Sequence, residues 1–223
     1  EGLFTSVQNG GLDPNATFAL AYAALLRNDA QTVVQNLYAL LLHTSASHHI
    51  IGERVTPWGD RQEHGAVTPF NPFGARLITL LRDMLIREDG RDLHLFSAVS
   101  PAWLKPGGEI ALSNADTKFG RLSFKATVHS DRLVIEFNQH WHNVPRFLSF
   151  HVPAYVHVQS VLSDRQEIAA QGDVIQLSPH ASRVEIIWKN EAERQRLNLN
   201  STITDFKNEY RGRYQLWRAQ ITQ

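Results

Sequence analysis

Apolar positions recur at helical spacing over the first ninety or so residues and at a period of two beyond them. After a polar, Gly-rich lead-in, Asp13-Pro14 opens a helix: Asp can cap the free N–H groups, and Pro suits the first helical position. Phe18, Ala21, Tyr22, Leu25 and Leu26 follow at helical intervals. Asn28-Asp29 breaks that pattern and caps a second helix, in which Val33, Val34, Leu37, Tyr38, Leu40, Leu41 and Leu42 give an apolar face that widens toward its end. So short a turn predicts antiparallel neighbours. A polar segment then runs from His43 to Phe73, where Gly52, Gly59, Gly65, Pro57, Pro69 and Pro72 preclude a long helix. A third helix is predicted from about Phe73 to Arg87, ended by Glu88-Asp89-Gly90.

From Asp92 the period changes. Leu93 and Leu95 precede a strict alternation in which Leu122, Phe124, Ala126 and Val128 interleave with Ser123, Lys125, Thr127 and His129. Leu133, Ile135 and Phe137 continue it after a Ser130-Asp131 turn, which reads as a hairpin. Further strands are expected near Arg146–Val152, Tyr155–Leu162, Asp173–Leu177 and Arg183–Trp188, with a short apolar element at Pro101–Leu104 between the first two strands. Such a series points to an antiparallel β-sandwich. A last helix is expected from near Thr202. Its stripe of Phe206, Tyr210, Tyr214, Trp217 and Ile221 either docks on the protein's own surface, the reading we favour, or binds a partner. The predicted fold class is α+β: N-terminal antiparallel helices over residues 1–90, an antiparallel β-sandwich over 91–200 and a C-terminal docking helix over 201–223.

Composition adds mainly exclusions. Lys+Arg and Asp+Glu are both 22, so no excess of positive charge calls for nucleic acid or an anionic membrane as partner. The absence of cysteine removes disulfides and thiolate metal sites. No apolar run approaches the roughly 18 residues a membrane span needs, and no signal peptide is expected at Glu1-Gly2-Leu3. G-x-S-x-G, P-loop and G-x-G-x-x-G motifs are all missing, which leaves serine nucleophiles, phosphate cradles and dinucleotide cofactors without support. No cofactor is expected.

The candidate chemistry gathers in the polar segment, which holds four of the chain's 11 histidines. Cleavage of a glycosidic bond needs two carboxyl groups, one an acid and one a base or nucleophile. The segment offers Glu53, Asp60 and Glu63, and Glu63 is the first choice because Gln62 and His64 flank it and Arg61 is near in sequence. Asp60 is the second carboxylate. Trp58 can stack on a sugar ring, and Arg61, Gln62, His64, His48 and His49 can hold hydroxyl groups. The alternative is a solvated loop with ordinary surface charges. A metal held by His48, His49 and His64 with Glu53 or Asp60 fits no established ligand spacing, so none is expected. His140-Trp141-His142 reads as a strand leading into a loop end rather than as a ligand pair.

Three stretches carry a resemblance: TSASHHIIGERVTPWGDRQEHGAVTP, LLRDMLIREDGRDLHLFSAVSPAWLKPGGEIALSNADTKFGRLSF and EYRGRYQLW. They resemble the C-terminal part of bacterial six-hairpin (α/α toroid) glycosidases with their β-sandwich domain. The resemblance implies that the helices are the end of a toroid and that the 43–73 loop lines a sugar cleft, with carbohydrate as substrate. It further implies that the remaining part of the enzyme, or a partner chain, covers exposed helix faces, with Leu37, Leu40 and Leu41 buried against it. A non-catalytic carbohydrate-binding or interaction module is the alternative, with aromatics on the sheet or terminal helix as its contacts.

Overall fold

The computed structural model describes residues 4–5, 12–44, 71–170 and 172–221. A two-residue pair, β1 (Phe4–Thr5) and β2 (Leu12–Asp13), precedes α1 (Pro14–Leu26) and α2 (Ala30–Leu42). The caps form as their residues dictate. The Asp13 carboxylate accepts from the Ala16 N–H at 3.0 Å, and Asp29 accepts from the Thr32 N–H at 3.1 Å. Asn28, left-handed at φ 58°, turns the chain between them, so α2 runs back along α1. α3 (Asn71–Leu85) packs parallel to α1: Phe18 meets Phe73 edge-on with ring centroids 5.3 Å apart, and further along Tyr22 lies beside Thr79 and Asp83.

α3 runs directly into β3 (Ile86–Asp89), which turns at Gly90 and pairs back as β4 (Asp92–Leu95). This corrects the expected helix end. The apolar run through Met84, Leu85 and Ile86 fits either element by periodicity; the pairing Ile86↔Leu95 and the complete burial of Ile86 among the sandwich residues decide for a strand. A meander follows: β5 (Glu109–Thr117), β6 (Gly120–Val128) and β7 (Arg132–Trp141). β5 is masked in the sequence because a register shift between Leu112 and Ala115, with Asn114 at φ 51°, breaks its alternation. Then come β8 (Leu148–His151), β9 (Val156–Ser163), β10 (Gln166–Ile168), β11 (Val174–Leu177), β12 (Arg183–Asn190) and α4 (Leu199–Ile221).

The fold is thus α+β, with four described helices and two mostly antiparallel sheets. The larger sheet has the order β10-β9-β12-β7-β6-β5 and the smaller β11-β8-β4-β3. Their apolar faces share one core, to which Leu93, Leu95, Leu148 and Phe150 contribute from the smaller sheet and Leu122, Phe124, Ile135 and Val184 from the larger. One pair departs from the expected antiparallel pattern. β4 and β8 are parallel, because the whole β5–β7 meander intervenes before the chain returns beside β4.

The helices bury a second core around Phe18, Leu25, Val34, Leu37, Leu40, Leu80 and Met84. Leu37 and Leu40 are therefore covered within this chain, contrary to the expectation that a missing part covers them. Among the described residues, large apolar side chains left exposed on α1 and α3 are Leu20 at 44%, Leu26 at 66% and Ile78 at 70%, and Leu199, Tyr210, Tyr214 and Leu216 of α4 are exposed as well. α4 packs on α2, with Phe206 edge-on to His43 at 6.0 Å.

Between the two cores runs a buried irregular segment, residues 96–100, which leads into a short 3-10 helix at Pro101–Leu104. Its side-chain tie to α2 is a 2.5 Å hydrogen bond between the Tyr38 hydroxyl and Ser100 Oγ. Replacing Tyr38→Phe is expected to destabilise the chain by about 1–2 kcal/mol, because the loss falls at a buried site. Chemical denaturation with an unchanged m-value would read this directly.

Candidate functional site

His48, His49, Glu53, Trp58, Asp60, Arg61, Gln62, Glu63 and His64 lie outside the described residues. What the structure does define is how the segment that bears them is anchored. At its start His43 ends α2: the His43 N–H donates to the Leu40 carbonyl at 3.2 Å, and the buried ring places Nδ1 2.7 Å from the Ala39 carbonyl oxygen. A carbonyl only accepts, so Nδ1 carries the proton. His43 is thus an anchor residue. At the far end Phe73 is buried against Phe18. Because α2 is antiparallel to α1 and α3 parallel to it, the segment leaves and re-enters at one end of the helical layer. The Leu85–Ile86 junction lies at the other end, about 20 Å away along α3.

Along the α1–α3 seam sits a set of titratable groups that the sequence did not single out. Burial, reinforced by the nearby Asp83 carboxylate, pushes the Tyr22 hydroxyl up to about 12. Burial likewise raises Asp83 above the usual carboxylate range, partly offset by its 2.9 Å contact with Arg82. Arg82 links the layers: it reaches Glu88 on β3 at 3.5 Å and donates to the Asp116 carbonyl on β5 at 2.9 Å. The Lys118 N–H donates to the same Glu88 oxygen at 3.2 Å. Every carboxyl here faces a cation or a backbone donor, so the set braces helix against sheet. Only the helical spacing of Tyr22 against Leu25 hinted that its ring faces inward.

The third feature is an open cleft of about 280 Å³ at the β5–β6 turn, lined by Asp116, Thr117, Gly120, Arg121, His140 and His142. β7 extends through Trp141, whose indole N–H donates to the Pro179 carbonyl at 2.8 Å. His140 and His142 flank that anchored ring and are exposed. Arg121 pairs with Asp116 at 3.0 Å. Among the described residues no group of three or more His, Asp or Glu is placed to hold a metal ion.

Gly120 shapes this cleft. It sits at φ 135°, and a Cβ there would lie 2.2 Å from the His140 carbonyl oxygen. Gly120→Ala is therefore expected to cost at least about 1–3 kcal/mol and to displace His140. Thermal denaturation, with the His140 ring resonances as a local reporter, would check both effects. Compared with protein families, characterised proteins and solved structures, the chain finds no match, so its functional reading rests on its own residues and geometry.

Proposed function

We propose that this chain is the C-terminal portion of a carbohydrate-active enzyme of the glycoside hydrolase type, its helices being the end of an α/α toroid. The observation that carries this reading is the packing of the helices. α1 and α3 are parallel neighbours with α2 returning between them in sequence, which is the repeat a two-layer toroid extends. The outward positions of α1 support it further. Ala16, Ala19, Leu20, Ala23 and Leu26 recur at helical spacing, and the whole helix carries no charged residue. A helix that is apolar all round is normally buried on both sides. The remaining part of the enzyme, or a partner chain, would supply that cover.

In this reading the 43–73 loop lines the sugar cleft from the end of the layer at which it is anchored. Glu63 is the acid/base, Asp60 the second carboxylate and Trp58 the stacking platform. Arg61, Gln62, His64, His48 and His49 bind hydroxyl groups. Glu63 protonates the glycosidic oxygen as the leaving group departs, while Asp60 acts on the anomeric carbon's other side, either as base toward the attacking water or as nucleophile. The larger sheet favours this reading over a binding module. Its solvent side bears an ion-pair ladder, with Glu109–Lys125 at 2.8 Å, Glu136–Arg183 at 3.1 Å and Glu185–Arg132 at 3.4 Å, and no exposed Phe, Tyr or Trp.

In the complete enzyme, assayed on a panel of glycosides, Glu63→Gln is expected to lower kcat by about 10²–10⁴-fold with little change in KM. Unchanged turnover would remove Glu63 from the mechanism. On the helix face, Leu26→Lys and Ile78→Lys should alter the stability of the 223-residue chain by no more than about 0.5 kcal/mol, as for ordinary surface positions. In the complete protein they should destabilise it several-fold more. Equal effects in both would show that nothing covers the face.

A further inference from the structure

The outward side of the smaller sheet is polar yet largely buried. Arg87 on β3 lies opposite His94 on β4, His94 opposite Ser149 on β8, and Ser149 opposite Gln176 on β11. His151, two residues beyond Ser149, shares this face, and Arg87 and His151 are only 5% and 7% exposed. His94 Nδ1 and His151 Nε2 are 2.7 Å apart. Arg87 Nη2 lies 3.5 Å from His94 Nδ1 and equally far from Asn28 Oδ1 in the α1–α2 turn. Its Nη1 meets Asp89 at 3.1 Å, and its buried Nε has no hydrogen-bond partner.

Proton bookkeeping follows from these distances. A guanidinium only donates, so His94 Nδ1 is the acceptor and His151 Nε2 carries the single proton between the rings. A proton arriving on His94 Nδ1 would set two N–H groups face to face at 2.7 Å. One arriving on His151 Nδ1 would add a second buried cation close to Arg87. The charged groups facing the pair are Arg87 and Asp89 from β3 and Asp92 from β4, while β8, β11 and the α1–α2 turn present the neutral Ser149, Gln176 and Asn28. Asp89 is engaged by Arg87, and Asp92 is held by Arg146 through two contacts of 2.9 and 2.5 Å. The balance therefore disfavours charge on either ring.

We propose that the His94–His151 pair is an acid-sensitive latch between the layers: proton uptake separates the rings, draws Arg87 away from Asn28 and loosens the α1–α2 hairpin from the smaller sheet. The direction of titration agrees. Burial first, then His94 and Arg87, push His151 down to about 4, and burial with Arg87 lowers His94. Free imidazole titrates near 6.5 in an unfolded chain. The unfolded chain thus takes up protons that the folded one refuses. The latch contributes fully above about pH 6.5 and is lost as the pH falls toward 4. The inference is independent of the reaction class.

The test is thermal denaturation of the full chain as a function of pH, beside the double variant His94→Asn with His151→Gln. That variant keeps an acceptor and a donor at the two facing positions but cannot take up the proton. The wild type should lose its melting temperature more steeply than the variant from about pH 6.5 downward. In acid, amide exchange in α1 and α2 should rise before that of β6 and β7. Equal slopes, or simultaneous exchange in both layers, would overturn the latch. Should the variant fail to fold, imidazole NMR of the wild type decides alone: both rings neutral near pH 6 supports the latch, and ordinary titration near 6.5 overturns it.

Discussion

The structure depends on a stretch that is neither helix nor strand. Phe96 to Ser100 is buried throughout, so its backbone has no water to turn to. The neighbouring elements supply the partners. The Phe96 N–H donates to Leu85 and the Ala98 N–H to Met84, both at the end of α3, and the Val99 carbonyl accepts from the Tyr155 hydroxyl. Ser100 is the node. Its carbonyl accepts from Trp103, and its hydroxyl oxygen accepts from Ala102 and shares a bond with Tyr38. Ser97 Oγ alone in this stretch is buried without a partner. Phe96 is held at φ 55°, a strained conformation for a bulky residue, and its ring packs on Phe150 of the smaller sheet and Phe124 of the larger. This loop thus joins Arg82 and Arg87 in fastening sandwich and helices to one another, and it contributes residues to both cores.

That arrangement explains how unevenly the fold was written in the sequence. Elements determined by their own residues were plain: Asp13-Pro14 and Asn28-Asp29 act through hydrogen bonds spanning three residues, and β6 buries every second side chain. Elements determined by distant partners were not. Nothing local distinguishes Ile86 as a strand residue from one more turn of α3; its place is set by Leu95 across the ladder. β5 hid because Asn114 shifts its phase, with the freed N–H taken by Ser123 Oγ on the next strand. The parallel β4–β8 pairing joins residues some 55 positions apart, beyond what any window of sequence reports.

The candidate chemistry divides along the same line. Clustering of His48, His49, Trp58, Asp60, Glu63 and His64 is visible because they are near in sequence. The Tyr22–Asp83 seam and the His94–His151 pair are groups of residues scattered over the chain, and only packing brings them together. Alternation did hold one clue. Arg87, His94, Ser149 and His151 occupy the polar phase of strands whose other phase is core, so they had to share the outer face of one sheet once the order of strands was known.

The three outer surfaces then differ for physical reasons. The larger sheet meets water with cross-strand ion pairs, each worth little but together keeping an open sheet face from pairing with others. The smaller sheet buries its polar face, and burial turns ordinary imidazoles into groups that resist protonation. The helical layer does neither. α1 carries no charge on any side, and its Leu20 and Leu26 are exposed, as is Ile78 of α3. A surface helix gains nothing from such a composition, since charged residues at those positions would fold as well and dissolve better. The composition makes sense if the face is interior in the working protein. In the proposed reading the helical layer is the side that the rest of the enzyme covers.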